Sequence, residues 1–107
     1  MTIGEPSAID RIRAVLAERP ATEAELRTLR GEADGWTRVL EARLRAGEVR
    51  LSELTDDPAS SLAAIAGELR EVDPLRRELA ETRSLIEQLD TRAREVRSEW
   101  LRRSSAR

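Results

Sequence analysis

The stretch 71-EVDPLRRELAETRSLIEQLDTRAREVRSEW-100 decides how the rest of the chain must fold. With Val72 at heptad position a, Leu79, Ile86, Ala93 and Trp100 also fall at a. Leu75, Thr82, Leu89 and Val96 then fall at d. Apolar residues recurring at alternate steps of three and four, sustained over about four heptads, mark one face of a long helix. At 1.5 Å per residue such a helix is about 45 Å long. A stripe of that length needs an apolar cover, from its own chain or from another.

The flanking positions argue against a simple parallel two-stranded zipper. Across such a dimer Glu78 at g would meet Arg83 at e, an attraction. Arg92 at g would meet Arg97 at e, a repulsion. Leu85 and Leu101 widen the apolar face beyond a and d, and a wide face suits a three- or four-helix bundle.

Upstream, the spacing predicts a helix over 8–18, with Ile9, Ile12, Val15 and Leu16 on one face, Ser7 as its cap and Pro20 as its stop. Thr22-Glu23-Ala24-Glu25 reads as a capping box opening a second helix. Leu26, Leu29, Ala33, Trp36, Leu40 and Leu44 follow at steps of three or four, and Gly47 is placed as the C-cap. Gly31 and Gly35 lie off this stripe, and the acid-first pairs Glu23/Arg27, Asp34/Arg38 and Glu41/Arg45 suit one continuous helix. Residues 48–57 read as a locally acidic connector, a short strand or a packed loop. Asp57-Pro58 and Asp73-Pro74 each read as a cap followed by a helix start, the second either kinking or restarting the helix. Leu62, Ile65, Leu69 and Val72 form the third stripe, and the small residues Ala63, Ala64, Ala66 and Gly67 around it would admit a close neighbour. The chain divides into an N-terminal helical segment, 1–57, and a C-terminal coiled-coil segment, 58–107, forming one structural unit.

Composition supports an all-α bundle or hairpin. The chain has 107 residues, 39% apolar but only 2% aromatic, so its core is built from Leu, Ile, Val and Ala. Charged residues are 37% of the chain and the net charge is only -2, which gives no global pull toward nucleic acid or an anionic membrane. Every basic residue is Arg, a bias expected of a GC-rich, bacterial genome. The opening residues MTIGEPSAID carry neither a positive region nor an apolar run, so no signal peptide is expected, nor a membrane span, and the expected location is cytoplasmic.

Chemistry is sparse. There is no His and no Cys, which removes His-based acid/base catalysis, thiol nucleophiles and zinc sites of the usual ligands. The five Gly are isolated, and no phosphate-cradling loop is present. The adjacent Asp56 and Asp57, and Glu95 with Glu99, read as a cap and a solvated face. No enzyme, cofactor or metal is therefore expected. Trp36 and Trp100 fall on apolar stripes, where Trp is core or interface. Six Arg lie between 92 and 107 against Glu95 and Glu99; this suits a helix C-terminus and offers a patch for an acidic partner or for nucleic acid.

The expected function is a protein–protein interaction or oligomerisation module, self-associating, with a dimer favoured. Its carriers are Leu75, Leu79, Ile86, Leu89, Val96 and Trp100, faced by Leu26, Leu29, Trp36, Leu40 and Leu44. Alternatively, breaking the second helix at 31-GEADG-35 yields two short helices followed by EVRLSEL as a wing. Residues 8–54 then resemble a winged helix-turn-helix, with Arg38, Arg43 and Arg45 as the nucleic-acid contacts and the last helix as a dimerising arm. Its near-neutral head supplies phosphate neutralisation poorly, so nucleic acid is the less favoured partner. Continuity through Gly31–Gly35 discriminates the two.

Overall fold

A computed structural model of the chain describes residues 8–18 and 21–105. The expected cap at Ser7 and stop at Pro20 lie outside these residues. The described chain is all-α, with three helices: α1 (Ala8–Glu18), α2 (Glu23–Asp56) and α3 (Leu62–Ser105). The start of α2 follows its sequence signal. The Glu25 amide donates to Thr22 Oγ1 at 3.1 Å, and the Leu26 amide donates to the Thr22 carbonyl at 3.1 Å.

Three local expectations are corrected. Residues 48–56 are neither strand nor loop; they are the last turns of α2. Gly47 is consequently mid-helix and not a C-cap. Leu40, Leu44, Gly47, Leu51 and Leu54 continue the three-and-four spacing, so Gly47 holds a place in the stripe itself. Asp57-Pro58 is a turn and not a helix start. The Ser60 amide donates to the Asp57 carbonyl at 3.1 Å and the Ala59 amide donates to Asp57 Oδ1 at 2.9 Å. Proline is as well suited to the second position of a β-turn as to a first helical turn, and the aspartate side chain closes the same turn. Ser61 caps α3 instead, accepting from the Ala64 amide at 3.1 Å.

Asp73-Pro74 does not restart a helix either. Pro74 lies inside α3. It removes the donor that the Arg70 carbonyl would use, but Arg70, Asp73 and Pro74 are all exposed, where water reaches the backbone. The buried Val72 and Leu79 on either side hold the helix in place.

The contacts group into two compact units, Met1–Gly35 with Thr82–Arg107, and Trp36–Glu81, so the division falls within α2 and α3 rather than at the loop joining them. The first unit is built from three helical segments. Ile12 and Val15 of α1, Leu26, Leu29 and Ala33 of α2, and Leu85 and Leu89 of α3 form one core, with Ile9, Leu16, Ala21, Ile86, Ala93 and Val96 packed against it. Arg30–Asp90 and Arg97–Glu23 tie its α2 and α3 segments, so one runs down as the other runs up: they are antiparallel. Leu85, at g, is buried more deeply than Ile86, at a, because α3 here serves two neighbours.

The second unit is a two-helix segment. Its buried positions are Thr37, Leu40 and Gly47 on α2 and Val72 and Leu79 on α3. Glu68 accepts from Arg50 Nε at 3.0 Å and Glu78 accepts from Trp36 Nε1 at 3.2 Å, an antiparallel register again. The close approach expected at Ala63–Gly67 occurs elsewhere. Ala63, Ala64 and Ala66 are exposed and a Cβ on Gly67 would meet nothing within 4 Å, whereas a Cβ on Gly47 would lie 2.9 Å from Val72 Cγ2.

The break at 31–35 that a helix-turn-helix requires does not occur, and the intended wing is helical. The capping box, the acid-first Glu23–Arg27 pair at 3.8 Å and an apolar row on both sides of the glycines outweigh their cost of about 1 kcal/mol each.

Candidate functional site: the uncovered end of α3

Most of the carriers named from the heptad are used within the chain. Leu26, Leu29 and Leu89 are buried in the core of the first unit, with Ile86 and Val96 against it. Leu40 and Leu79 are buried in the second unit, where Trp36, Leu44 and Leu75 are half-buried. Trp100 alone of the set is exposed, at 65%.

Its position follows from where the cover stops. Arg97 donates to Glu23, the first residue of α2, so the α2 row ends level with Arg97. The helix α3 runs on to Ser105, about 12 Å farther. Trp100 stands one turn beyond Val96, the last stripe residue packed on the core, and Leu101 stands one turn beyond Arg97. Both rows are therefore extended past their cover, and Leu101 is 51% exposed. The apolar beat that buries Leu89 continues with nothing from α2 opposite it.

A groove of about 470 Å³ opens beside Trp100, lined by Ala21, Arg92, Glu95, Val96, Glu99, Trp100 and Arg103. Its rim is charged, with Arg92 and Arg103 set beside Glu95 and Glu99. Arg103 donates to Glu99 at 2.7 Å, an i,i+4 pair along the helix. The Glu23 carboxylate is held below its ordinary range by its hydrogen bond and charge contact with Arg97, and the same contact raises the Arg97 guanidinium. Asp90 raises Arg30 in the same way, at 2.7 Å. The Glu23 and Arg97 shifts keep both ends of that clasp charged, and the two clasps together tie α2 to α3. They fix the register of α2 on α3 and so fix where Trp100 emerges.

A second groove, of about 450 Å³, lies between α1 and α2, with Ala14, Val15, Ala24, Thr28 and Leu29 along it and the Arg11–Glu32 ion pair among its lining residues. Glu25 lines it as well. Among the described residues no cluster of three or more acids suits a metal ion, and no helix is long and apolar enough to cross a membrane.

The three arginines proposed as nucleic-acid contacts lie along one uninterrupted helix. Arg43 stacks over the Trp36 ring, 5.4 Å from its centroid, and Arg38 and Arg45 are exposed.

Heptad counting placed Thr82 at d, where it is buried, but did not single out the depth of Leu85, the burial of Thr37 or the exposure of Leu62. Leu85 had a signal in the widened stripe. Leu62 had none, because its exposure depends on α3 being capped by Ser61 and starting at Leu62, not at Pro58. No family model, curated protein or solved structure matches the chain.

Proposed function

We propose that this chain is a non-catalytic helical interaction module that associates with further copies of itself through the end of α3. One observation carries this: Trp100, on the row that buries Leu89, is 65% exposed at the end of a helix whose earlier turns are covered by its own chain. A large aromatic anchor beside a groove with both arginine and glutamate at its rim has the make-up of an interface centre. The absence of His and Cys supports a binding role over a chemical one.

The test is the solution mass, by light scattering behind size exclusion, across about a tenfold dilution. The protein is expected to exceed its 12.0 kDa chain mass at the higher concentration and to fall toward it on dilution. Trp100→Ala is expected to stay at the chain mass with its helical circular dichroism unchanged. A wild-type protein at 12.0 kDa throughout, or a Trp100→Ala variant that associates equally well, would overturn the proposal.

A further inference from the structure

The turn joining α2 to α3 carries a surface of the opposite kind. The helix α2 ends with Glu53 and Asp56 in or beside its last turn and no basic residue there. A helix C-terminus presents carbonyl oxygens and favours cations, so acids at this end oppose the macrodipole. Among the described residues neither side chain has an ion-pair partner. Six residues on, Leu62 begins α3 at 85% exposure, the highest of the exposed large apolar residues.

The charges of the two surfaces match. Residues 48–72 hold six acids against two Arg, and residues 92–107 hold six Arg against two acids. Arg102, beside Trp100 and Leu101, is exposed and has no ion-pair partner among the described residues. Two α3 ends brought face to face would set positive against positive. An α3 end facing an α2–α3 turn sets positive against negative and apolar against apolar.

We infer that the end of α3 receives the α2–α3 turn of a second copy, with Leu62 against Trp100 and Leu101, and Glu53 and Asp56 facing Arg102 and Arg103. This rests on the self-association proposed above and names its partner surface. Each copy carries one surface of each kind, so the contact is heterologous. It closes into rings or extends into open chains. It also answers the misplaced acids, whose cost within α2 is offset by arginines from a neighbour.

Charge exchange tests it. Two variants are compared with wild type at low salt: Arg102→Glu with Arg103→Glu, and Glu53→Arg with Asp56→Arg. All four positions are exposed, and arginine at the end of α2 suits the helix. Glutamates at the end of α3 oppose its macrodipole and break the Arg103–Glu99 pair, so unchanged helical circular dichroism is required of that variant before its association is compared. Each is expected to associate at least about tenfold more weakly than wild type, and an equimolar mixture of the two is expected to regain association, because each then meets an opposite charge. If wild type associates through Trp100 but the Glu53→Arg, Asp56→Arg variant associates unchanged, the partner surface lies elsewhere and this inference fails while the proposed function stands. A mixture that remains monomeric overturns the inference as well. Wild type that is monomeric throughout removes both.

Discussion

Three glycines in one helix show how far a residue's effect depends on what faces it. Gly31 and Gly35 lie on the exposed side of α2, where an added Cβ would meet nothing within 4 Å. Gly47 is buried, and its Cβ would lie 2.9 Å from Val72 Cγ2 and 3.6 Å from Glu68 Oε1. Alanine at Gly31 or Gly35 should therefore stabilise the protein by about 0.5–1 kcal/mol through helix propensity. Gly47→Ala should instead destabilise it, overpacking against Val72 at a cost of about 1–3 kcal/mol that exceeds the propensity gain. Denaturant midpoints of the three variants check the opposite signs. Another pair sets a pH dependence. Glu23 titrates below its ordinary 4.5 in the folded protein because Arg97 holds it charged. A depressed carboxylate contributes stability above its unfolded value, and that contribution is lost as pH falls through the folded one. The stability difference between wild type and Glu23→Gln should shrink between about pH 5 and about pH 3. A difference that stays constant over this range would show that the clasp to Arg97 does not stabilise the fold.

At the scale of the element, both long helices pass through residues that ordinarily end helices. In α2 two exposed glycines and a buried one are carried by a continuous apolar row. In α3 Pro74 is carried by Val72 and Leu79, which anchor the turns before and after it. The proline still costs one backbone hydrogen bond and some steric strain. Pro74→Ala should raise stability, by up to about 3 kcal/mol, without altering the helical content of the folded state. Thermal unfolding followed at 222 nm, a conventional helical wavelength, measures it. A lower melting temperature would mean that the proline holds a backbone geometry the packing around it needs. The turn between the helices shows the reverse case. Asp57-Pro58 has the composition of a helix start, yet Asp57 accepts from Ala59 and Ser60 and closes a turn, leaving the cap to Ser61.

At the scale of the whole molecule, residues that make the fold separate from those that face outward. Leu89 is 1% exposed in the core of the first unit, and Leu89→Ala should cost about 2–5 kcal/mol of unfolding free energy. Trp100→Ala should change the stability of the dilute chain by no more than about 0.5 kcal/mol, since it removes surface rather than core. Chemical unfolding of both variants at low concentration tests the contrast. A large loss at Trp100 under those conditions would make it a folding residue and not an interface one.

Much of this organisation was already legible in the residues. The scarcity of aromatics, the capping box at Thr22, the helix over 8–18 and the heptad from Val72 determined that the chain is all-α and which face of each helix is apolar. The uninterrupted run through Gly31–Gly35 was legible too, because apolar spacing and acid-first pairs cross it without a change of phase. Spacing reports the phase of a helix, however, and not what stands opposite each turn. Whether Gly47 caps a helix or receives Val72 was decided by the returning α3. The same return decided whether Leu79 and Leu89 face this chain or another. It also decided that the cover stops level with Glu23 and Arg97, leaving Trp100 and Leu101 outside it. Periodicity is a local property of one helix, whereas burial belongs to a pair of helices, and only packing reveals where the second one ends.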